Sequence, residues 1–154
     1  MKAFRIARTE FIRDLSGFGA YKFGGRWNSI GTSILYLAQN PSLALLEVLV
    51  HIPQFQIQSS FSILTLELPE LDIQSTPTLP KNWKIHPPPI ELKRIGDAFV
   101  RSNAGLILRV PSAIMHLDMS LLVNPSHPDF QRIKILDCEE LELEKRLFRV
   151  ETIG

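Results

Sequence analysis

One cysteine in 154 residues, no excess of charge of either sign and no long apolar run exclude several classes at once. Cys138 alone cannot build an internal disulfide framework or a cysteine-rich zinc site, and it fits a reducing compartment. The formal net charge of +1 lacks the basic excess that marks a broad nucleic-acid footprint, so direct nucleic-acid binding is not expected. No stretch of eighteen apolar residues is present, so no membrane-spanning helix is expected. Arg5, Arg8 and Glu10 break up any apolar core of a secretion signal at the N-terminus, which makes the cytoplasm the expected location. Catalytic signatures are missing too. No Gly-Lys-Ser/Thr ends a phosphate loop, no Gly-x-Gly-x-x-Gly follows a first strand, and Ser112 lacks the Gly-x-Ser-x-Gly elbow.

What is present is ordinary in bulk. The apolar fraction of 45% and the charged fraction of 21% suit a globular protein, and the length suits one domain, taken as residues 1–154. Prolines cluster between 69 and 89, with Pro77, Pro80, Pro87, Pro88 and Pro89 making a stiff extended loop within that domain. Apolar runs predict strands at 2–7, 33–38, 61–68, 105–110, 133–136 and 146–150. Residues 14–23 hold two glycines and little periodicity and read as a loop. Asn40-Pro41 marks a helix start, with Asn capping free N–H groups and Pro in the first turn; the helix should run to about 52, stopped by Pro53. A second, amphipathic helix spans 90–103. The fold class is therefore α+β, mostly strands with two main helices.

One stretch concentrates costly choices: Gly24-Gly25-Arg26-Trp27-Asn28, then Tyr36, then Glu47. Two glycines let a backbone approach a ligand closely, and the Arg26 guanidinium is shaped to grip phosphate; a surface ion pair is the plainer role. Tyr36 lies in an apolar run, as a core aromatic or as a platform for a flat ring, and Trp27 is open in the same way. Glu47 and His51 are the only titratable groups of a helix apolar nearly all round, which should be buried. Four apart, they share one face, either as a solvent stripe or as a buried carboxylate needing a partner. A metal bound by this pair would lack a third ligand, so no metal site is assigned. Ser112 follows a strand end and a proline, where it either faces a cleft or caps the next turn. His127, between prolines, reads as a loop residue.

These residues resemble the RES-domain toxin family, the toxin half of RES–Xre toxin–antitoxin pairs. The resemblance runs from Phe4-Arg5-Ile6-Ala7 and Gly19-Ala20 through Gly24-Gly25-Arg26-Trp27-Asn28, Gly31, Tyr36 and Leu45-Leu46-Glu47. It continues through Leu79-Pro80-x-x-Trp83, Ile95-Gly96-Asp97, Leu108-Arg109-Val110-Pro111-Ser112-Ala113 and Asn124-Pro125-x-His127-Pro128-Asp129-Phe130. The arginine, glutamate and serine of the family name match Arg26, Glu47 and Ser112. Phe99 departs from the pattern where tryptophan is expected, and Leu143-Glu144-Lys145-Arg146-Leu147 lacks an aspartate. The resemblance implies a compact fold similar to the catalytic core of ADP-ribosyltransferase toxins. It implies breakage of the nicotinamide–ribose bond of NAD, as a glycohydrolase or, with phosphate as acceptor, a phosphorylase. Protein ADP-ribosylation is the alternative, as is a dinucleotide-binding module without turnover. NAD is then a substrate, phosphate a possible co-substrate, and no cofactor is implied. Arg26, Tyr36, Glu47 and Ser112 would line the site as catalytic residues, with Trp27 and Arg5 as further NAD-binding candidates beside Arg26 and Tyr36. An Xre-like antitoxin would be the partner, with homo-oligomerisation inside that complex.

Overall fold

Alternation along the strands decides this architecture. In a strand, successive side chains point to opposite faces, so residues two apart share a side. The computed structural model describes residues 1–52 and 59–148. Its strands are β1 (Lys2–Arg8), β2 (Leu35–Ala38), β3 (Phe61–Glu67), β4 (Ile107–Pro111), β5 (Met119–Val123) and β6 (Lys134–Leu141). They form one six-stranded sheet in the order β4-β5-β2-β1-β3-β6, and each neighbouring pair is antiparallel. The helices are α1 (Phe18–Phe23), α2 (Pro41–Leu49) and α3 (Ile90–Ser102), with 3-10 turns at Pro128–Arg132 and Lys145–Phe148.

The first face of the sheet carries Ala3, Leu35, Leu37, Leu64, Leu66, Ile107, Leu121 and Val123, covered by loop residues such as Ile12, Leu15, Ile73 and Phe130. The second face carries two clusters. Leu108, Val110 and Leu122 pack with Trp27, Ile34, Leu92 and Phe99, under α3. Ile6, Ala38 and Phe61 pack with Leu43 and Ala44, under α2. Both long helices thus ride on the second face, and Tyr36 lies between them, two residues from Ala38 and paired with Leu122 across the β2–β5 ladder.

Local chemistry sets the start of α2. The Asn40 side chain accepts from Leu43 N–H at 2.8 Å and Pro41 opens α2. In α3, Leu92, Gly96 and Phe99 are buried at helical spacing. Gly96 is obligatory there, because a Cβ would stand 1.6 Å from the Trp27 carbonyl oxygen.

Some expectations need correction. Residues 18–23 are helical, not loop: Gly17 and Gly24, both at positive φ, bracket a six-residue helix, so the glycines are its ends. The helix α2 ends at Leu49 and is not buried all round; Leu46 is 37% and Val50 60% exposed, because a helix lying on a sheet has only one covered side. Pro53 lies outside the described residues. The strand expected at 146–150 is a 3-10 turn through Phe148, and 149–150 lie outside the described residues. Strand β5 has no counterpart in the sequence reading, and β6 is twice as long as the four residues expected.

Candidate functional site

The loop that carries Arg26 is held by a buried amide. Asn28 is fully buried, and its Nδ2 donates to the carbonyls of Ala20, Ser29 and Thr32 at 2.8, 3.1 and 3.0 Å. Its Oδ1 accepts from the Tyr36 hydroxyl at 2.6 Å, and that hydroxyl in turn accepts from Trp27 N–H at 3.1 Å. Gly25 must be glycine, since a Cβ would lie 2.8 Å from both Asn28 Oδ1 and the Tyr36 oxygen. From α3, Lys93 Nζ donates to Gly25 O at 2.9 Å and Asn28 O at 3.3 Å. Asp97 accepts from Ser29 through its N–H at 2.9 Å and its hydroxyl at 2.6 Å.

The Tyr36 hydroxyl is therefore committed to the loop, and its ring is partly buried against the cluster under α3. Burial pushes the phenol well above its ordinary pKa, against the Trp27 N–H, which favours the ionised form. Trp27 is 3% exposed within the cluster under α3, so its indole is core.

Arg26 Nη1 donates to the carbonyls of Trp83 and Ile85 at 3.0 and 3.1 Å, pinning the proline-rich segment. Desolvation lowers the guanidinium pKa, while the Glu47 carboxylate and Tyr36 push it back up. Glu47 is thus within electrostatic range, yet the two form no ion pair within 4 Å.

The opposite wall joins residues 65 positions apart. Ser112 Oγ donates to Glu47 Oε1 at 2.8 Å. Ser112 is 2% exposed, and its oxygen accepts from the N–H groups of Ile114 and Met115 at 3.1 and 3.2 Å. Of the two sequence alternatives the structure shows the cap: Ser112 caps the following turn, and its hydroxyl also meets a carboxylate. With its lone pairs taken by N–H donors, its own proton is directed at Glu47. Glu47 is half-buried and turned to Ser112, whereas His51 is exposed and not its partner.

The structure brings Arg26, Tyr36, Glu47 and Ser112 to one face of the sheet. It does not bring Arg5 there. Arg5 alternates with Ala3 and Ala7 onto the first face, where its Nη1 donates to Phe11 O, Ile12 O and Asp14 O at 3.0, 2.7 and 2.7 Å. A concavity of about 350 Å³ is lined by Tyr21, Thr32, Ser33, Asp97, Arg101 and Ser126 among others, and by none of the four. The candidate site rests on convergent polar groups, not on an enclosed cavity. Sequence reading missed Asn28 as the loop's anchor, and Lys93 and Asp97 as its braces; the four-residue spacing of Lys93 and Asp97 on one helix face was the available signal. His127 caps a 3-10 turn, its Nδ1 accepting from Asp129 N–H at 3.1 Å. Among the described residues no cluster of three or more His, Cys, Asp or Glu is placed to hold a metal, and no helix is long and apolar enough to cross a membrane.

Comparison with known proteins identifies a family. The family model described as RES domain matches residues 2–144. A Pseudomonas putida protein named Toxin Res is 39% identical over 145 residues, 92% of this chain and 97% of that one. A Sphingobium protein named Prs ADP-ribosylating toxin is 32% identical over 148 residues, 93% of this chain and 92% of its own length. In fold, a chain of the M. tuberculosis MbcT–MbcA toxin–antitoxin complex superposes with a TM-score of 0.75 at 18% identity, covering 91% of this chain and 83% of that one. The fold class is α+β, and the chain belongs to the RES domain family.

Proposed function

We propose that this protein is a toxin that degrades NAD by breaking the nicotinamide–ribose bond. The observation that carries the reading is the Glu47–Ser112 pair on the sheet face it shares with Tyr36, opposite an Arg26 that has no carboxylate within 4 Å among the described residues. In the reaction the bonding pair leaves with the ring nitrogen, so the pyridinium departs as neutral nicotinamide. The ribose carbon becomes oxocarbenium-like, then takes oxygen from water or phosphate as a proton is released. A carboxylate at that carbon stabilises the developing charge, which is the role given to Glu47. Ser112 acts through Glu47: it holds Oε1 and leaves Oε2 to face the ribose. The Tyr36 ring stacks on the flat nicotinamide or on the ribose face. Arg26 grips the diphosphate through its Nε and Nη2 edge, Nη1 being occupied. The leaving group departs without a Lewis acid, and NAD is substrate, not cofactor.

The Sphingobium relative's name supports a second acceptor, a protein side chain, which requires the same bond to break. The MbcT–MbcA likeness supports an antitoxin partner, here of the Xre-like kind, seated over Glu47 and Arg26, with homo-oligomers inside that assembly. The test is direct. Purified protein free of any partner is incubated with NAD, with and without phosphate, and free nicotinamide is followed. Release is expected, and phosphate acceleration identifies the phosphorylase. Folded protein that releases none refutes the proposal; labelled ADP-ribose found on protein assigns the transferase.

A further inference from the structure

Lys93 is a costly residue for its place. It stands in the first turns of α3, where the helix dipole disfavours a cation, and it is half-buried. It makes no ion pair within 4 Å among the described residues. Asp97, four residues on, already serves the N–H and hydroxyl of Ser29. Two of the three ammonium donors go to Gly25 O and Asn28 O, carbonyls of the loop that carries Arg26, and one is left over. The ammonium also stands over the glycine pair: a Cβ on Gly24 would lie 3.5 Å from Nζ. Arg26 shares the same condition, with a guanidinium bonded to carbonyls and, among the described residues, no carboxylate within 4 Å to balance it. Two under-neutralised cations and the positive end of a helix thus meet at one glycine loop, and each raises the local affinity for negative charge.

We propose that Lys93 and Arg26 form a two-cation seat for a diphosphate, with Lys93 supplying its free N–H and its charge to one phosphate while Arg26 holds the other. The inference rests on the NAD reading for the identity of the ligand, but the chemistry it requires is a diphosphate. A diphosphate within a dinucleotide carries two negative charges, and Arg26 alone balances one.

Calorimetry with inorganic pyrophosphate, ADP-ribose and nicotinamide riboside tests it on the intact protein, using wild type, Lys93→Gln and Lys93→Arg. Thermal melting checks that each variant is folded. Lys93→Gln should weaken pyrophosphate and ADP-ribose at least about 5-fold, as expected for one charge-assisted bond, and leave nicotinamide riboside unchanged. Lys93→Arg should keep most of the affinity. Failure of wild type to bind pyrophosphate or ADP-ribose at millimolar concentration overturns the seat, as does undiminished binding by folded Lys93→Gln. Equal losses in Lys93→Gln and Lys93→Arg overturn it as well, because they assign Lys93 to bracing the loop. If NAD is consumed while Lys93→Gln leaves KM unchanged, the seat falls and the NAD reading stands. If the seat binds pyrophosphate through Lys93 but NAD is not consumed, the seat stands and the NAD reading falls.

Discussion

Replacing Ser112 by alanine separates a residue that touches substrate from one that positions Glu47. The hydroxyl makes three hydrogen bonds: one donated to Glu47 at 2.8 Å, and two accepted from Ile114 and Met115 at 3.1 and 3.2 Å. A bond to a charged partner contributes about 1.5–3 kcal/mol and a neutral one about 0.5–1.5 kcal/mol. Those sums overstate the loss. Glu47 is only half-buried, and Ile114 and Met115, whose N–H groups would be freed, are 37% and 41% exposed as residues, so the freed groups lie near solvent. Ser112→Ala should cost about 1–2 kcal/mol. For a chain of this size that is a fall in Tm of about 3–6 °C. In NAD hydrolysis kcat should drop about 10- to 100-fold as Oε2 loses its aim, with KM changed little because Arg26 and Tyr36 are untouched. The decisive assay is a double-mutant cycle with Glu47→Gln. If Ser112 works through Glu47, Ser112→Ala in the Glu47→Gln background should lower kcat by less than about 2-fold. Independent, multiplicative losses refute the positioning role, and wild-type kcat in Ser112→Ala refutes any role.

Other perturbations read other links. Glu47→Gln should lower turnover on the order of 100-fold or more while circular dichroism and melting stay close to wild type, as for removal of a group that stabilises transition-state charge. Tyr36→Phe removes the hydroxyl bridging Asn28 Oδ1 and Trp27 N–H, and leaves a fully buried amide oxygen unpaired; denaturant unfolding should show a loss of about 1–3 kcal/mol. Gly96→Ala places a methyl against the Trp27 carbonyl, backbone against backbone, and should abolish soluble folded protein on expression. Asp97 gives a pH dependence. Burial raises its pKa, but hydrogen bonds from Ser29 and Thr32 and the charge of Arg101 outweigh that and hold it below the usual carboxylate value. A depressed folded-state pKa contributes stability that is complete above the unfolded value, near roughly 4, and is lost as pH falls through the folded value. Stability measured by denaturant from pH 6 downward should fall below roughly pH 4, and less steeply in Asp97→Asn.

Which parts of this were legible in the sequence follows from how far each interaction reaches along the chain. The start of α2 was legible because Asn40 bonds to Leu43, three residues on. The amphipathic α3 was legible because its buried residues recur at helical spacing. Strand β5 was not. Its five residues hold no alternation of their own, and their strand state comes from pairing with β2 and β4 on either side. The short α1 was hidden by its own punctuation, since Gly17 and Gly24 look like loop residues unless both are seen to sit at positive φ around six helical residues. The side of the sheet on which Arg5 lies was open for the same reason: alternation places it with Ala3 and Ala7, but which face holds the site depends on where α2 and α3 pack.

The candidate site divides along the same line. Its Arg26 wall is nearly local: Gly25, Trp27, Asn28 and Tyr36 lie within twelve residues and bond to one another. That compactness is why the stretch stands out from sequence, and why its residues are constrained even if no ligand ever binds. Glu47 is different. Alone on an apolar helix it has two equally sound readings, and the partner that decides between them lies 65 residues away, beyond any spacing rule. The family resemblance named Ser112, and the fold supplies the physical reason: β4 pairs with β5 and β5 with β2, so the chain leaving Pro111 arrives beside the helix that follows β2. A buried serine whose lone pairs are filled by backbone donors has one proton and one place to send it. An isolated carboxylate thereby becomes an aimed one, and that aim is what the Ser112–Glu47 double-mutant cycle measures.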